Sequence, residues 1–361
     1  MGNSIEDFYK DKKVLITGHT GFKGSWLTLW LLKMGARVAG YSLEPNTDPS
    51  IFRILKLEQE IDHTIADIRD AEALQKAFAR FKPEIVFHLA AQPLVRYSYY
   101  HPKETYETNV IGTVNILDAA RATESVKSIV CITSDKCYEN REWVFGYREN
   151  DPMGGYDPYS ASKGCAELVI ASYRNTYFNP QKYGPDHHTA LASARAGNVI
   201  GGGDWSADRL VPDCVRYIVK NEEIILRNPD AVRPWQHVLE PLYGYLVLAK
   251  KNTEDPVRYC EAWNFGPNDS DIIPVKYLVA KVIECWGKGS YKIIKDDKIH
   301  EANLLKLDTS KARSFLKWRP LFDFNKAIEL TVSWYGSYYG KRDMIEISQT
   351  QIDEYLSILH K

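Results

Sequence analysis

No stretch of this chain approaches the run of about 20 apolar residues that a membrane-spanning helix requires, so no membrane partner is expected. The polar opening from Gly2 to Asp7 reads as neither a secretory signal nor a myristoylation site, because Glu6 stands where a serine or threonine is needed. Cysteine is sparse. Cys131, Cys137, Cys165, Cys214, Cys260 and Cys285 form no C-x-x-C pair and no metal-ligand spacing, which excludes a disulfide framework and gives an expectation of no bound metal. Reduced thiols of this kind point to the cytoplasm. Excess charge is also missing: 46 Lys and Arg against 47 Asp and Glu leave a net charge of -1, so no nucleic-acid partner is expected and a small molecule is. Internal repeats and low-complexity segments are absent, which excludes a solenoid or a disordered array.

What is present suits an enzyme-sized globule. A chain of 361 residues, 44% hydrophobic and 26% charged, buries a full core and has room for two domains. Short β-branched runs at 14–17, 37–41, 60–66, 85–89, 129–132 and 189–194 alternate with helical patterns at 25–34, 71–81 and 106–121. That rhythm predicts an α/β doubly wound parallel sheet. It breaks after Gly197, where a glycine-rich loop at 201–205 leads to a helix at 210–220 and an irregular Trp- and Pro-rich region, read as a smaller second region.

Two motifs carry chemistry. Gly18-His19-Thr20-Gly21-Phe22-Lys23-Gly24 lies between the first strand and the first long helix. Glycines there permit a tight turn and close approach to a pyrophosphate, whose charge meets free N–H groups and the positive helix end. The spacing is G-x-x-G-x-x-G, which an ordinary strand-to-helix turn also shows. Downstream, Tyr159 and Lys163 stand four residues apart, on one helix face. An ammonium beside a phenol favours phenolate and makes the tyrosine a base near neutrality. Thr133-Ser134-Asp135-Lys136 closes the fifth strand at its carboxyl end, where open α/β sheets bind ligands. His88 ends a buried strand and reads as structural.

At this point the chain resembles the extended short-chain dehydrogenases/reductases that act on nucleotide sugars. The likeness rests on Thr17 to Gly24, Asp67-Ile68, His88 to Ala91, Ser134, Tyr159-x-x-x-Lys163 and Arg195 to Val199. Within that family, Ser134-Asp135-Lys136, Gln92 to Arg96, Trp143, Gly154 to Tyr159 and Arg233 to His237 resemble the 4,6-dehydratase branch. The resemblance implies a Rossmann sheet with a smaller mixed C-terminal substrate domain, NAD-binding over 1–199 with 236–265 returning to it, and 200–361 mainly binding the sugar nucleotide. It further implies NAD as cofactor and CDP-glucose as substrate. The reaction oxidises C4, eliminates water across C5 and C6 and returns hydride to C6, in deoxysugar and lipopolysaccharide O-antigen biosynthesis.

The resemblance implies roles residue by residue. Ser134, Asp135, Lys136, Tyr159 and Lys163 are catalytic. Gly18, His19, Thr20, Gly21, Phe22, Lys23 and Gly24 hold the cofactor, with Ser42, Asp67, Ile68, Leu89, Ala90, Ala91, Gln92 and Thr108. Gln92, Arg96, Ser134, Asn198, Arg209, Arg227, Arg233 and His300 meet the sugar nucleotide. Helices near 106–121 and 160–177 pair with those of a second copy, giving a homodimer or homotetramer. Two departures stand out: relatives carry glutamate where this chain has Lys136, and the second strand ends Tyr41-Ser42-Leu43-Glu44 rather than at an acid. Lys136 is therefore either the base at C5 or a holder of Asp135. A nucleotide-sugar epimerase or reductase shares Tyr159 and Lys163 but has no use for Asp135. A non-catalytic NAD-sensing regulator keeps neither tyrosine nor lysine of necessity.

Overall fold

The computed structural model describes residues 4–294 and 304–360. Strand β1 (Lys13–Thr17) feeds helix α1 (Phe22–Lys33). The helix starts three residues before the apolar spacing suggests, because the extended backbone of Gly21 caps it. Gly35, at φ 78°, follows its end as the left-handed stop that glycine supplies without strain. Further strands are β2 (Arg37–Ser42), β3 (Asp62–Ile65), β4 (Ile85–His88), β5 (Ser128–Ile132), β6 (Ala190–Ala196) and β7 (Ala262–Phe265).

All seven form one parallel sheet in the order β7-β6-β5-β4-β1-β2-β3. The chain order reverses between β1 and β4, and the carboxyl ends of the strands there open onto the site. Strand β3 is shorter than the run 60–66, since Glu60 caps the helical turn at 57–59. The alternating rhythm before Gly197 gives no hint of β7, which pairs with β6 from 66 residues downstream (Ala262 to Ala196) and reads as an isolated four-residue run.

The helix expected over 106–121 divides into Pro102–Tyr106, a π-helical stretch Glu107–Ile111, and α2 (Gly112–Arg121). Such stretches gather at functional sites, and this one carries the buried Asn109. Helix α3 (Pro158–Thr176) is capped by Asp157, whose carboxylate accepts from the Ser160 N–H at 2.9 Å. Beyond the sheet lie α4 (Leu210–Val219), α5 (Leu239–Glu254), α6 (Phe324–Tyr339) and α7 (Met344–Leu359). One apolar cluster joins Trp26 and Trp30 of α1 to Trp334 of α6 and Tyr355 of α7, and a second, with Phe78, Ile116 and Ile170, covers the opposite sheet face. A parallel sheet needs both faces covered in this way.

Glu240 anchors the C-terminal helices. Its fully buried carboxylate accepts from the Leu321 and Phe322 N–H groups at 2.9 and 2.7 Å and from the Tyr355 hydroxyl at 3.0 Å. Burial raises its pKa from 4.5 to about 7. A raised folded-state pKa gives stability that is complete below the unfolded value and lost as pH climbs through 7, an effect of about 3 kcal/mol. Urea midpoints should therefore fall between pH 5 and pH 8, and Glu240→Gln, which keeps the backbone acceptor, should flatten that fall. An equal pH dependence in both proteins would exclude Glu240 as its source.

Candidate active site

The glycine turn is built so that side chains are kept out. A Cβ on Gly18 would sit 2.8 Å from the Ala90 nitrogen, and one on Gly24 would sit 2.1 Å from the Gly18 carbonyl oxygen. With no side chain over it, the start of α1 presents bare N–H groups, a cradle that fits a pyrophosphate. Above the turn opens a cleft of about 1250 Å³. That exceeds what one small ligand fills, so two ligands fit side by side.

Most of the sequence-expected residues line this cleft. Gly18, Thr20, Gly21, Phe22, Lys23, Gly24, Ser42, Asp67, Ile68, Leu89, Ala90, Ala91, Gln92 and Thr108 all border it. Ser42 bonds the Thr20 hydroxyl at 2.9 Å, while Asp67 is engaged by Arg69, which holds its carboxyl below the usual range. Asn109 ties the loop after β4 to α3, accepting from the Gln92 N–H at 2.8 Å and donating to the Ser162 hydroxyl. His88 is structural as read: its ring bonds Thr17 and Thr113, and burial brings it down to about 3.

His19 is a correction. Its ring turns away from the cleft into the core, edge-on to Phe52 and His63, and burial drops its pKa to about 3. The space it takes is the one a Cβ on Gly40 would fill, at 2.4 Å. Arg227, expected to meet the sugar nucleotide, does not itself line the cleft: half-exposed, it stands 3.8 Å from Asp208, which does. Arg96, Arg209, Arg233 and Asn198 do line the cleft, and Asn198 holds a strained φ of 49°. His300 lies outside the described residues.

The catalytic candidates converge. Ser134, Asp135, Lys136, Tyr159 and Lys163 border one side of the cleft, with the Ser134 hydroxyl donating to Asp135 Oδ1 at 2.8 Å. Asp135 is buried against Gly197, where a Cβ would meet its Oδ2 at 2.0 Å, and that oxygen has no hydrogen-bond partner among the described residues. Lys163 donates to the Ile132 carbonyl at 3.2 Å. Burial pushes its pKa down to about 8 and pushes Tyr159 up to about 12, against the opposing hydroxyl of Ser134. In the cleft by itself desolvation is the largest influence on both groups. Lys23 is brought to about 7, by burial and then by Arg209, so cations gather where a diphosphate's charge would be met.

Sequence reasoning missed Asp204, which pairs with Arg209 at 2.8 Å, and the wall made by 138–142 and Leu305. It also missed Glu167, although its i+4 spacing from Lys163 was a visible signal. Among the described residues, no group of three or more His, Cys, Asp or Glu is placed to hold a metal, and no helix is long and apolar enough to cross a membrane.

Comparison with known proteins fits this geometry. The chain is 52% identical over 353 residues to CDP-glucose 4,6-dehydratase of Salmonella typhimurium, covering 98% of each. It is 27% identical to UDP-glucuronate 4-epimerase 1 of Arabidopsis thaliana, over 91% of this chain and 77% of that one. Its fold matches the structure of dTDP-glucose 4,6-dehydratase from Bacillus anthracis, solved in complex with NAD, at TM-score 0.76 and 21% identity, over 92% of this chain and 99% of that one. A family model described as GDP-mannose 4,6 dehydratase spans residues 15–331. With that match over most of its length and a relative at 52% identity, the chain belongs to the GDP-mannose 4,6 dehydratase family.

Proposed function

We propose that the cleft binds NAD and CDP-glucose and converts the sugar nucleotide to CDP-4-dehydro-6-deoxy-glucose. The observation that carries this reading is Asp135, buried beside Ser134 and Tyr159 in the cleft, in a chain 52% identical to a CDP-glucose 4,6-dehydratase. An epimerase has no task for that carboxyl. The cofactor would lie over the glycine cradle, with Ser42, Asp67 and Ile68 at one end and Tyr159 and Lys163 at the other. Bound there, NAD would supply the hydride chemistry between C4 and C6.

The protein's part is proton handling. Tyr159 takes the C4 hydroxyl proton while Ser134 holds that oxygen and Lys163 supplies positive charge beside it. The resulting ketone acidifies the C5 proton, which Lys136 removes, a task open to a lysine only as the free amine. Asp135 gives its proton to the departing C6 hydroxyl, so water leaves, and the protonated Lys136 returns a proton to C5 at the end. Arg96, Arg209 and Arg233 supply the guanidinium groups that a diphosphate pairs with. Ser42 makes a weaker ribose partner than a carboxylate, and no arginine in 41–46 awaits a 2′-phosphate, which favours NAD over NADP.

Supplying the purified protein with CDP-, dTDP-, GDP- and UDP-glucose, and following the alkali absorbance of a 4-keto product, tests the assignment. Product should form fastest from CDP-glucose. Preference for another base would overturn the substrate, and an epimerised sugar would overturn the reaction.

The assembly we propose is a homodimer, or a homotetramer of such pairs, joined through α2 and α3. Leu168 on α3, Ile111 just before α2 and Tyr177 just after α3 are 61%, 50% and 47% exposed, an apolar display that calls for cover. The compartment we propose is the cytoplasm, where nucleotide sugars and dinucleotides are available and six free cysteines stay reduced.

A further inference from the structure

Behind the catalytic side chains lies a buried ion pair that the mechanism above does not use. Glu167 sits one turn beyond Lys163 on α3, and both are buried, at 4% and 6% exposure. Its carboxylate accepts from the hydroxyl of Thr133, the residue between β5 and Ser134, from the Ser193 hydroxyl at 2.8 Å and from Arg195 Nη2 at 2.8 Å. Arg195 in turn donates through Nη1 to the Tyr138 hydroxyl at 2.6 Å and the Glu149 carbonyl at 2.9 Å. One carboxylate therefore ties together the catalytic helix, the end of β5, β6 and the segment walling the cleft.

A buried ion pair is a poor device for stability alone, because desolvating two charges offsets much of their attraction. This one stands where charge matters. We infer that Glu167 is a positioning residue that acts through Thr133, to which it is hydrogen-bonded, and through Lys163 one turn before it, fixing the Ser134 end of β5 against the cleft and placing a carboxylate charge on the lysine's side of the helix. The inference rests on the proposed reading in giving Lys163 a catalytic task.

The groups around Lys163 support it. On its other sides stand Lys23 from α1, His88 from β4, Cys131 from β5 and Cys137 from the turn after it. Lys23 is a like charge, His88 is held neutral, and both thiols are pushed far above neutrality by burial. Asp135 also lines the cleft, but Glu167 heads the influences opposing burial at Lys163. Burial works to raise Glu167 itself, but Arg195 with the two hydroxyls brings it to about 2, so it is ionised throughout the working range. Arg195 is held charged by the same contact, and Arg174 adds a further cation toward Glu167.

The test separates charge from shape. In Glu167→Gln the shape and the acceptor oxygen remain but the charge is lost, and Lys163 should titrate about one pH unit lower. The alkaline limb of kcat should move acidward equally, leaving turnover above that limb about 10-fold below the parent. Glu167→Asp, which keeps the charge, should leave the limb in place. The direct readout is the pH dependence of Lys163 acetylation in the cofactor-free protein, followed by peptide mass spectrometry, which needs no substrate and stands even if the sugar assignment fails. If Glu167→Gln does not fold, Glu167→Gln/Arg195→Gln, which leaves no lone buried charge, is measured, with a shift in the same direction but smaller because a cation is removed along with the anion. A folded variant whose Lys163 titrates as in the parent overturns the inference.

Discussion

Tyr159→Phe should lower turnover of CDP-glucose by about 100-fold or more while leaving nucleotide binding within a few-fold. The substitution deletes one oxygen from a side chain that is 9% exposed and already packed in place, so the helix and its Asp157 cap are undisturbed. What is lost is the group that takes the C4 hydroxyl proton. Because burial places the phenol at about 12 in the cleft by itself, the base forms only when positive charge is assembled around it. Charge on Lys163 is therefore part of the same device. Turnover should fall on the alkaline side as Lys163 loses its proton near 8, and this limb should be absent from the residual activity of Tyr159→Phe. Steady-state kinetics across pH, with calorimetric titration of CDP-glucose, check both halves. Near-parental turnover in a folded Tyr159→Phe protein would remove the tyrosine from the mechanism.

A comparable loss is expected from Asp135→Asn, for a different reason. Asparagine matches the carboxylate in size, so the recess against Gly197 and the hydrogen bond from Ser134 survive. It has no proton to give, and general acid catalysis of this kind contributes about 100-fold or more. The leaving group supplies the control. A CDP-glucose analogue with fluoride at C6 needs no proton for departure, so Asp135→Asn should process it at close to the parental rate while failing on CDP-glucose. Tyr159→Phe should fail on both, since C4 must be oxidised in either case. Equal losses on the two sugars in Asp135→Asn would mean that Asp135 serves binding or folding rather than protonation.

The parallel sheet, the glycine turn and the tyrosine–lysine pair were determined by sequence alone, because each depends on short-range spacing. Alternating β-branched and helical runs give β1 to β6 and their helices, G-x-x-G-x-x-G gives a cradle closed to side chains, and i, i+4 spacing puts Tyr159 and Lys163 on one face. Only the tertiary structure decided what depends on contacts far apart in the chain. His19 belongs to the glycine motif yet points into the core, because Gly40 on β2 leaves a hole of its shape. Arg227 stands behind Asp208 at the edge of the cleft, a placement set by the ion pair between them rather than by sequence spacing. Strand β7 forms because β6 offers an unpaired edge, and Glu167 matters because Thr133, Ser193 and Arg195 meet it from three other places in the chain. Ionisation belongs to the same class: the spacing of Tyr159 and Lys163 sets which groups are neighbours, but the depth at which the sheet buries them sets their proton affinities, and desolvation is a property of the whole fold.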